Sequence, residues 1–72
     1  MRIRVTNGLL GRRLQRDGSD DGFVPLVPGE YNARQDALGR IEIDRSSGEK
    51  AYLNCAKFED HIVASSIVVL AV

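Results

Sequence analysis

Polar and apolar residues alternate in short runs along this chain, and turn signals separate the runs. Arg2-Ile3-Arg4-Val5-Thr6 alternates over five residues, which predicts a half-buried strand with Ile3 and Val5 inward. Asn7-Gly8 ends it with a turn. Residues 9–16 are ambiguous. Leu10 and Leu14 lie four apart, as on a helix, but Gly11 between them disfavours one, so an irregular segment or a short strand is expected. Asp17-Gly18-Ser19-Asp20-Asp21-Gly22 reads as a polar loop. Phe23–Val27 is apolar and extended, and Pro25 confines any strand there to a sheet edge because proline has no ladder donor. Val27-Pro28-Gly29-Glu30 suits a type II turn, with Gly29 at positive φ.

The second half is more regular. Glu30–Asp36 reads as a strand with Tyr31 and Ala33 on one face, and Leu38-Gly39 turns the chain. Arg40–Asp44 alternates with Ile41 and Ile43 inward. Arg45–Glu49 is a hairpin loop, and Lys50–Cys55 is the return strand with Ala51, Leu53 and Cys55 inward. One helical turn fits within Ala56–His61. Ser66–Ala71 closes the chain as a strand whose Ile67-Val68-Val69-Leu70 run is apolar on both faces. Such a strand is buried on both sides or leaves a face that needs a partner.

The fold class expected is therefore all-β. Five strands, an early excursion over residues 7–29, two tight hairpins and a short helical turn at Lys57–His61 before the last strand resemble an SH3-like barrel in element order. The resemblance covers nearly the whole chain and implies a single small five-stranded barrel over residues 1–72. The chain has no tryptophan and lacks the aromatic ligand-binding set of eukaryotic signalling SH3 domains, so their peptide-groove function does not carry over, and fold likeness alone licenses no activity. A partly open β-roll that completes itself as a dimer is the alternative architecture.

Length and composition agree with one domain. Of 72 residues, 21 are Leu, Ile, Val or Phe, well above the roughly one in five below which chains stay disordered. A domain this small buries only about 60% of its unfolded surface, which makes dimerisation a natural supplement. The single cysteine, Cys55, has no intramolecular disulfide partner, which points to a reducing cytoplasm. No signal peptide is expected at Met1-Arg2-Ile3-Arg4. The longest apolar stretch, Ile62–Val72, is broken by Ser65 and Ser66 and falls short of the about 20 residues a membrane span requires.

Net charge is zero, but unevenly spread. Residues 1–16 carry Arg2, Arg4, Arg12, Arg13 and Arg16 and no acid, and the remainder carries all ten acids. The bland reading is charge balance within the fold. The sharper one is phosphate recognition by an arginine cluster, although a pI of about 6.5 and only four aromatic residues sit poorly with nucleic-acid binding.

Other chemistry is thin. Asp17, Ser19, Asp21 and Gly22 match the first half of a calcium loop, but Pro28 stands where a bidentate glutamate is needed. His61 and an inward Cys55 make neither a nucleophilic pair nor an ordinary zinc ligand set, and no cofactor is implied. Tyr52 is expected on the outer face beside Arg34 and Glu42 of neighbouring strands, a residue set suited to a protein contact. The expected function is a non-enzymatic protein-interaction module, with a homodimer through the last strand as one form. The alternative is a nucleic-acid-binding module using the five arginines.

Overall fold

The computed structural model describes residues 1–14, 19–45 and 48–72. Their element order is β1 (Arg2–Val5), β2 (Leu9–Leu14), β3 (Asp20–Leu26), β4 (Gly29–Gln35), β5 (Ile41–Asp44), β6 (Lys50–Leu53), α1 (Cys55–Val63) and β7 (Ile67–Ala71). The all-β expectation holds at the level of class. The strand count does not: seven strands form one antiparallel sheet ordered β3-β2-β6-β5-β4-β1-β7, with β3 and β7 as edges. The two additional strands come from the early excursion, which folds as the β2–β3 hairpin (Leu9 opposite Leu26, Arg12 opposite Phe23).

The sheet curls around one core. Ile3 and Val5 of β1, Leu9 of β2, Val24 and Leu26 of β3, and Ile41 and Ile43 of β5 belong to a single buried cluster with Ala33, Ala51, Leu53, Phe58 and Ile67. Alternation puts these residues on one face, as period-2 geometry requires. β2 obeys the same period. Leu9 and Gly11 point inward, and Leu10 and Arg12 point outward, so the i, i+4 leucines are strand neighbours rather than a helix face. Pro25 sits in an edge strand, where its missing N–H costs nothing.

Three local expectations are corrected. Gly29 does not adopt positive φ. It is already part of β4, paired opposite Val5, and the connection before it is tied by the Tyr31 hydroxyl donating to the Val27 carbonyl at 2.6 Å. Cys55 is not an inward strand residue. β6 ends at Leu53, and Asn54 caps a helix, its side-chain oxygen accepting from the Lys57 N–H at 2.8 Å. The helix runs nine residues rather than one turn and inserts Phe58 into the core. Gly39, by contrast, takes the expected turn conformation at φ 83°. Asp36 organises that turn by accepting from the Leu38 and Arg40 N–H groups, both at 2.9 Å.

The helix terminates through Ser65, at φ 61°. The Ser66 N–H reaches back to the His61 carbonyl at 2.8 Å, and the Ser65 N–H donates to Ile62 at 3.0 Å. Left-handed residues at this position are usually glycine, since a side chain there costs about 1–2 kcal/mol. Ser65→Gly should therefore stabilise the protein, by about 0.5–1 kcal/mol after the added freedom of the unfolded chain is deducted. The Thr6 hydroxyl bond survives because it goes to the Ser65 carbonyl. A urea midpoint that rises with unchanged slope is the expected readout.

Candidate functional site

One row of outward side chains crosses five strands. Arg34 on β4 stands opposite Glu42 on β5, Glu42 opposite Tyr52 on β6, Tyr52 opposite Arg12 on β2, and Arg12 opposite Phe23 on β3. Arg34, Glu42 and Tyr52, expected from sequence to be neighbours, do meet. Arg34 Nε donates to Glu42 Oε2 at 2.6 Å, Lys50 Nζ to the same oxygen at 3.2 Å, and the Tyr52 hydroxyl to Oε1 at 3.0 Å.

Their exposure differs from the expectation. Glu42 is only 6% exposed although it lies on the outer face, because its three donors roof it. Tyr52 is half-buried rather than open. Its hydroxyl is committed to Glu42, and Arg40 lies over its ring, 5.0 Å from the centroid. Burial by itself would raise the Glu42 pKa, but hydrogen bonds from Arg34, Tyr52 and Lys50 outweigh it and hold the carboxylate below its ordinary value. Burial, followed by the bond to Glu42, pushes the Tyr52 phenol up. Asp36 is likewise lowered, burial being outweighed by bonds from the Arg40 side chain and from the Arg40 and Leu38 N–H groups. Glu30 is lowered by hydrogen bonds from Arg2 and then Arg4.

The pH dependence follows from these directions. Each of the three carboxylates has a folded-state pKa below its unfolded one, so its contribution is present above the ordinary values of 3.8 for Asp36 and 4.5 for Glu30 and Glu42. It is lost as the pH falls through the lower folded-state values. The thermal midpoint should stay level through neutral pH and fall on acidification below about pH 4.5. Glu42→Gln should lower the neutral-pH midpoint and shrink the acid-induced fall. An acid limb identical to that of the parent protein would show that Glu42 carries none of it.

At the β6–β2–β3 end of this row, lined in part by its Tyr52, Arg12 and Phe23, lies a groove of about 690 Å³. The β2–β3 hairpin contributes Leu10, Arg12, Leu14 and Phe23. Tyr52, Leu53 and Asn54 at the end of β6 form its base, and Lys57 and His61 of α1 with Arg40 complete it. Leu10 is 58% and Phe23 59% exposed, so the apolar surface is open. Arg12 lies 5.3 Å from the Phe23 ring centroid. Among the residues whose side chains are described, no acidic one lines the groove. The sequence reading missed it because β2 was not expected beside β6. The signal was present in the period-2 spacing of Leu10, Arg12 and Leu14, which marks one strand face.

The N-terminal arginines are dispersed. Arg2 and Arg4 both bind Glu30, at 3.2 and 3.4 Å. They sit on β1, which β6, β5 and β4 separate from β2 in the sheet. Arg13 pairs with Asp21 at 3.5 Å and with Glu49 at 3.7 Å. Arg12 belongs to the groove, and Arg16 lies outside the described residues, as does Asp17 of the calcium-like loop. Asp21 of that loop is a strand residue of β3 engaged with Arg13. Cys55 and His61 share α1 but, six residues apart, point about 120° away from each other around its axis. The Cys55 thiol donates to the Gly39 carbonyl at 2.6 Å and accepts from Gln35 Nε2 at 3.4 Å.

The fold and site define a mostly-β domain with an open seven-stranded antiparallel sheet, one capped helix and an apolar, cation-lined groove. No family model, curated protein or solved structure matches the chain. Among the described residues no helix is long and apolar enough to cross a membrane.

Proposed function

We propose that this chain is a non-enzymatic protein-interaction module that docks a partner in the groove between the β2–β3 hairpin and α1. The observation that carries this reading is the groove itself: open leucine and phenylalanine surface next to arginine and lysine, with Tyr52 at its base. Tyrosine and arginine in a partly desolvated cleft are the side chains that dominate protein contacts. The Arg34–Glu42–Tyr52 cluster serves this reading as the support that fixes the Tyr52 ring. The dispersal of the arginines over β1 and β2, most of them on carboxylates, favours a protein partner over a nucleic-acid backbone. A reducing, cytoplasmic setting suits the exposed single thiol of Cys55.

The SH3-like reading of the architecture rests on the same order of parts: a first strand, an early hairpin excursion, three strands in meander, a helix and a final strand beside the first. In that reading the curled sheet is an opened relative of the barrel.

A second reading concerns self-association, and a separate observation favours it. The β3 edge carries Pro25, Asp21 and the left-handed Gly22, devices that deter strand pairing. The β7 edge carries none of them: Val68, Val69 and Leu70 are each about two-fifths exposed on an uncharged strand. Antiparallel pairing of β7 with β7 of a second copy places apolar residue against apolar residue in an isologous interface. Sedimentation across a concentration series tests it, with Val69→Lys expected to leave only monomer.

For the groove, selection of displayed peptides on the parent protein, with counter-selection on an Arg12→Glu/Lys57→Glu variant, is the direct test. Peptides that bind the parent and not the variant support the docking reading. Peptides that bind both equally place the interaction elsewhere and overturn it.

A further inference from the structure

We infer that two copies of this chain join through β7 in one register, with Val68 opposite Val68 of the second copy, and that the assembly closes at two. This rests on the self-association reading above and adds its register and its limit.

The hydrogen-bonding phase of β7 sets which backbone groups are free to pair. The Thr6 N–H donates to the Ser66 carbonyl at 2.9 Å. Val5 stands opposite Ile67, Arg4 opposite Val68 and Ile3 opposite Val69. Opposed pairs in an antiparallel ladder alternate between bonded and non-bonded. Thr6–Ser66 and Arg4–Val68 are therefore the bonded pairs, and the N–H and C=O groups of Ile67 and Val69 point away from β1. Among the described residues β7 has no strand on that side. Beyond Val69 the register shifts, and Ala71 falls opposite Arg2, which turns it back towards β1. Before Ile67, the N–H groups of Ser65 and Ser66 go to Ile62 and His61. Ile67 and Val69 thus carry the ladder that a new strand can bond.

A second β7, running antiparallel, meets both residues in one register. With Val68 opposite Val68, Ile67 of each copy faces Val69 of the other, and each of these two pairs exchanges both N–H···O bonds. Centring on Ile67 or on Val69 leaves only one such pair. The side chains agree. Val68 shares the outer face with Arg4, while Ile67 and Val69 share the core face with Val5 and Ile3, so apolar meets apolar on both faces. Charge agrees as well. β7 is uncharged, and Arg4 is paired with Glu30 at 3.4 Å. The two copies of Arg4 would lie three strand spacings, about 14 Å, apart, beyond the screening length of about 8 Å at physiological salt. This self-matching selects a second copy as the occupant.

The limit follows from the other edge. β3 is guarded by Pro25, Asp21 and the left-handed Gly22. Two-fold pairing consumes both β7 edges and leaves the two β3 edges outermost, which gives a closed dimer rather than a fibre. Five paired residues span about 17 Å. A contact of that length falls at the low end of interface size, under about 1,200 Å², so the dimer forms and dissociates with concentration.

Two readouts test this. On the parent protein, amide hydrogen exchange is followed across a concentration series alongside sedimentation. The Ile67 and Val69 amides should slow about tenfold once about nine-tenths of the chain is dimer, because exchange then runs through the remaining monomer. The Val68 amide, already bonded to β1, should change far less. The second readout is cross-linking in a Cys55→Ser background, which removes the exposed thiol. Opposed non-bonded residues lie about 4.5 Å apart between Cα atoms, inside the disulfide range of roughly 4.4–6.8 Å. Val68→Cys should therefore cross-link into a dimer with oxidised glutathione, and Val69→Cys and Leu70→Cys should not. Unchanged amide spectra of the reduced variants verify their fold. A dimer that cross-links through Val69→Cys instead keeps the self-association reading and overturns the register. Species larger than two copies overturn the closure. A chain that stays monomeric at every concentration, with fast exchange at Ile67 and Val69 throughout, overturns both.

Discussion

Ile43→Ala is expected to cost about 2–5 kcal/mol, the range for emptying a fully buried aliphatic site. Ile43 is completely buried at the centre of β5, and β5 is flanked by β4 and β6 on both sides, so neighbouring side chains can collapse into the space only by bending two strands. A domain of this size shifts its thermal midpoint by about 4–8 °C for each kcal/mol, and the loss should therefore exceed about 8 °C by circular dichroism. Ile43→Val removes one methylene and should cost about 0.5–1.5 kcal/mol. Near-equal midpoints for the alanine variant and the parent would mean that the core does not centre on β5.

The second large effect is at Gly11. A side chain there would put its Cβ 2.8 Å from the Cβ of Ala51 and 3.5 Å from the backbone of Tyr52. β2 and β6 approach closely at this point because neither residue has bulk, and the approach is what sets Arg12 opposite Tyr52. Gly11→Val should destabilise by about 3 kcal/mol, the upper end for overpacking a close contact. It should also disturb the groove, since the β2–β3 hairpin would have to move away from β6. A double-mutant cycle isolates the cause: Gly11→Ala combined with Ala51→Gly should be more stable than the sum of the single effects by at least about 0.5 kcal/mol. Strict additivity would place the strain elsewhere.

Much of the strand pattern was legible from alternation alone. β1 and β5 appear within a residue of their expected bounds, and β6 starts where expected but ends two residues early, because a strand with one buried face must alternate, and Ile3, Val5, Ile41, Ile43, Ala51 and Leu53 do. Pro25 announced an edge through its missing donor. β2 was less legible. Leu10 and Leu14 fit two periods at once, and Gly11, which argues against a helix, also hides the inward position that makes β2 a strand. The helix was underestimated for a related reason. Cys55 continues the inward parity of β6, but Asn54 offers its side chain to the Lys57 N–H, and that local bond ends the strand and starts the helix one residue earlier than the apolar pattern suggests.

The site was half visible. Arg34, Glu42 and Tyr52 could be aligned because two tight hairpins fix the register of β4, β5 and β6. The extent of Glu42 burial could not, since it depends on Arg34, Lys50 and Tyr52 folding over one carboxylate. Arg12 and Phe23 entered the row only because β2 pairs with β6, a contact between residues forty apart in sequence that no local pattern encodes.

By itself, then, the sequence determined a small, mostly-β domain, the inward face of most strands, the turns at Asn7-Gly8 and Leu38-Gly39, and the pairing of β4, β5 and β6. These follow from short-range sterics and from a period of two, which act between near neighbours. Only the tertiary structure decided that the sheet has seven strands, that the N-terminal arginines part company onto Glu30, Asp21 and Glu49, and that Leu10, Phe23, Arg40 and Lys57 converge on one groove. Those outcomes depend on long-range strand order and on close approach at Gly11, where backbone packing rather than local preference selects the neighbour.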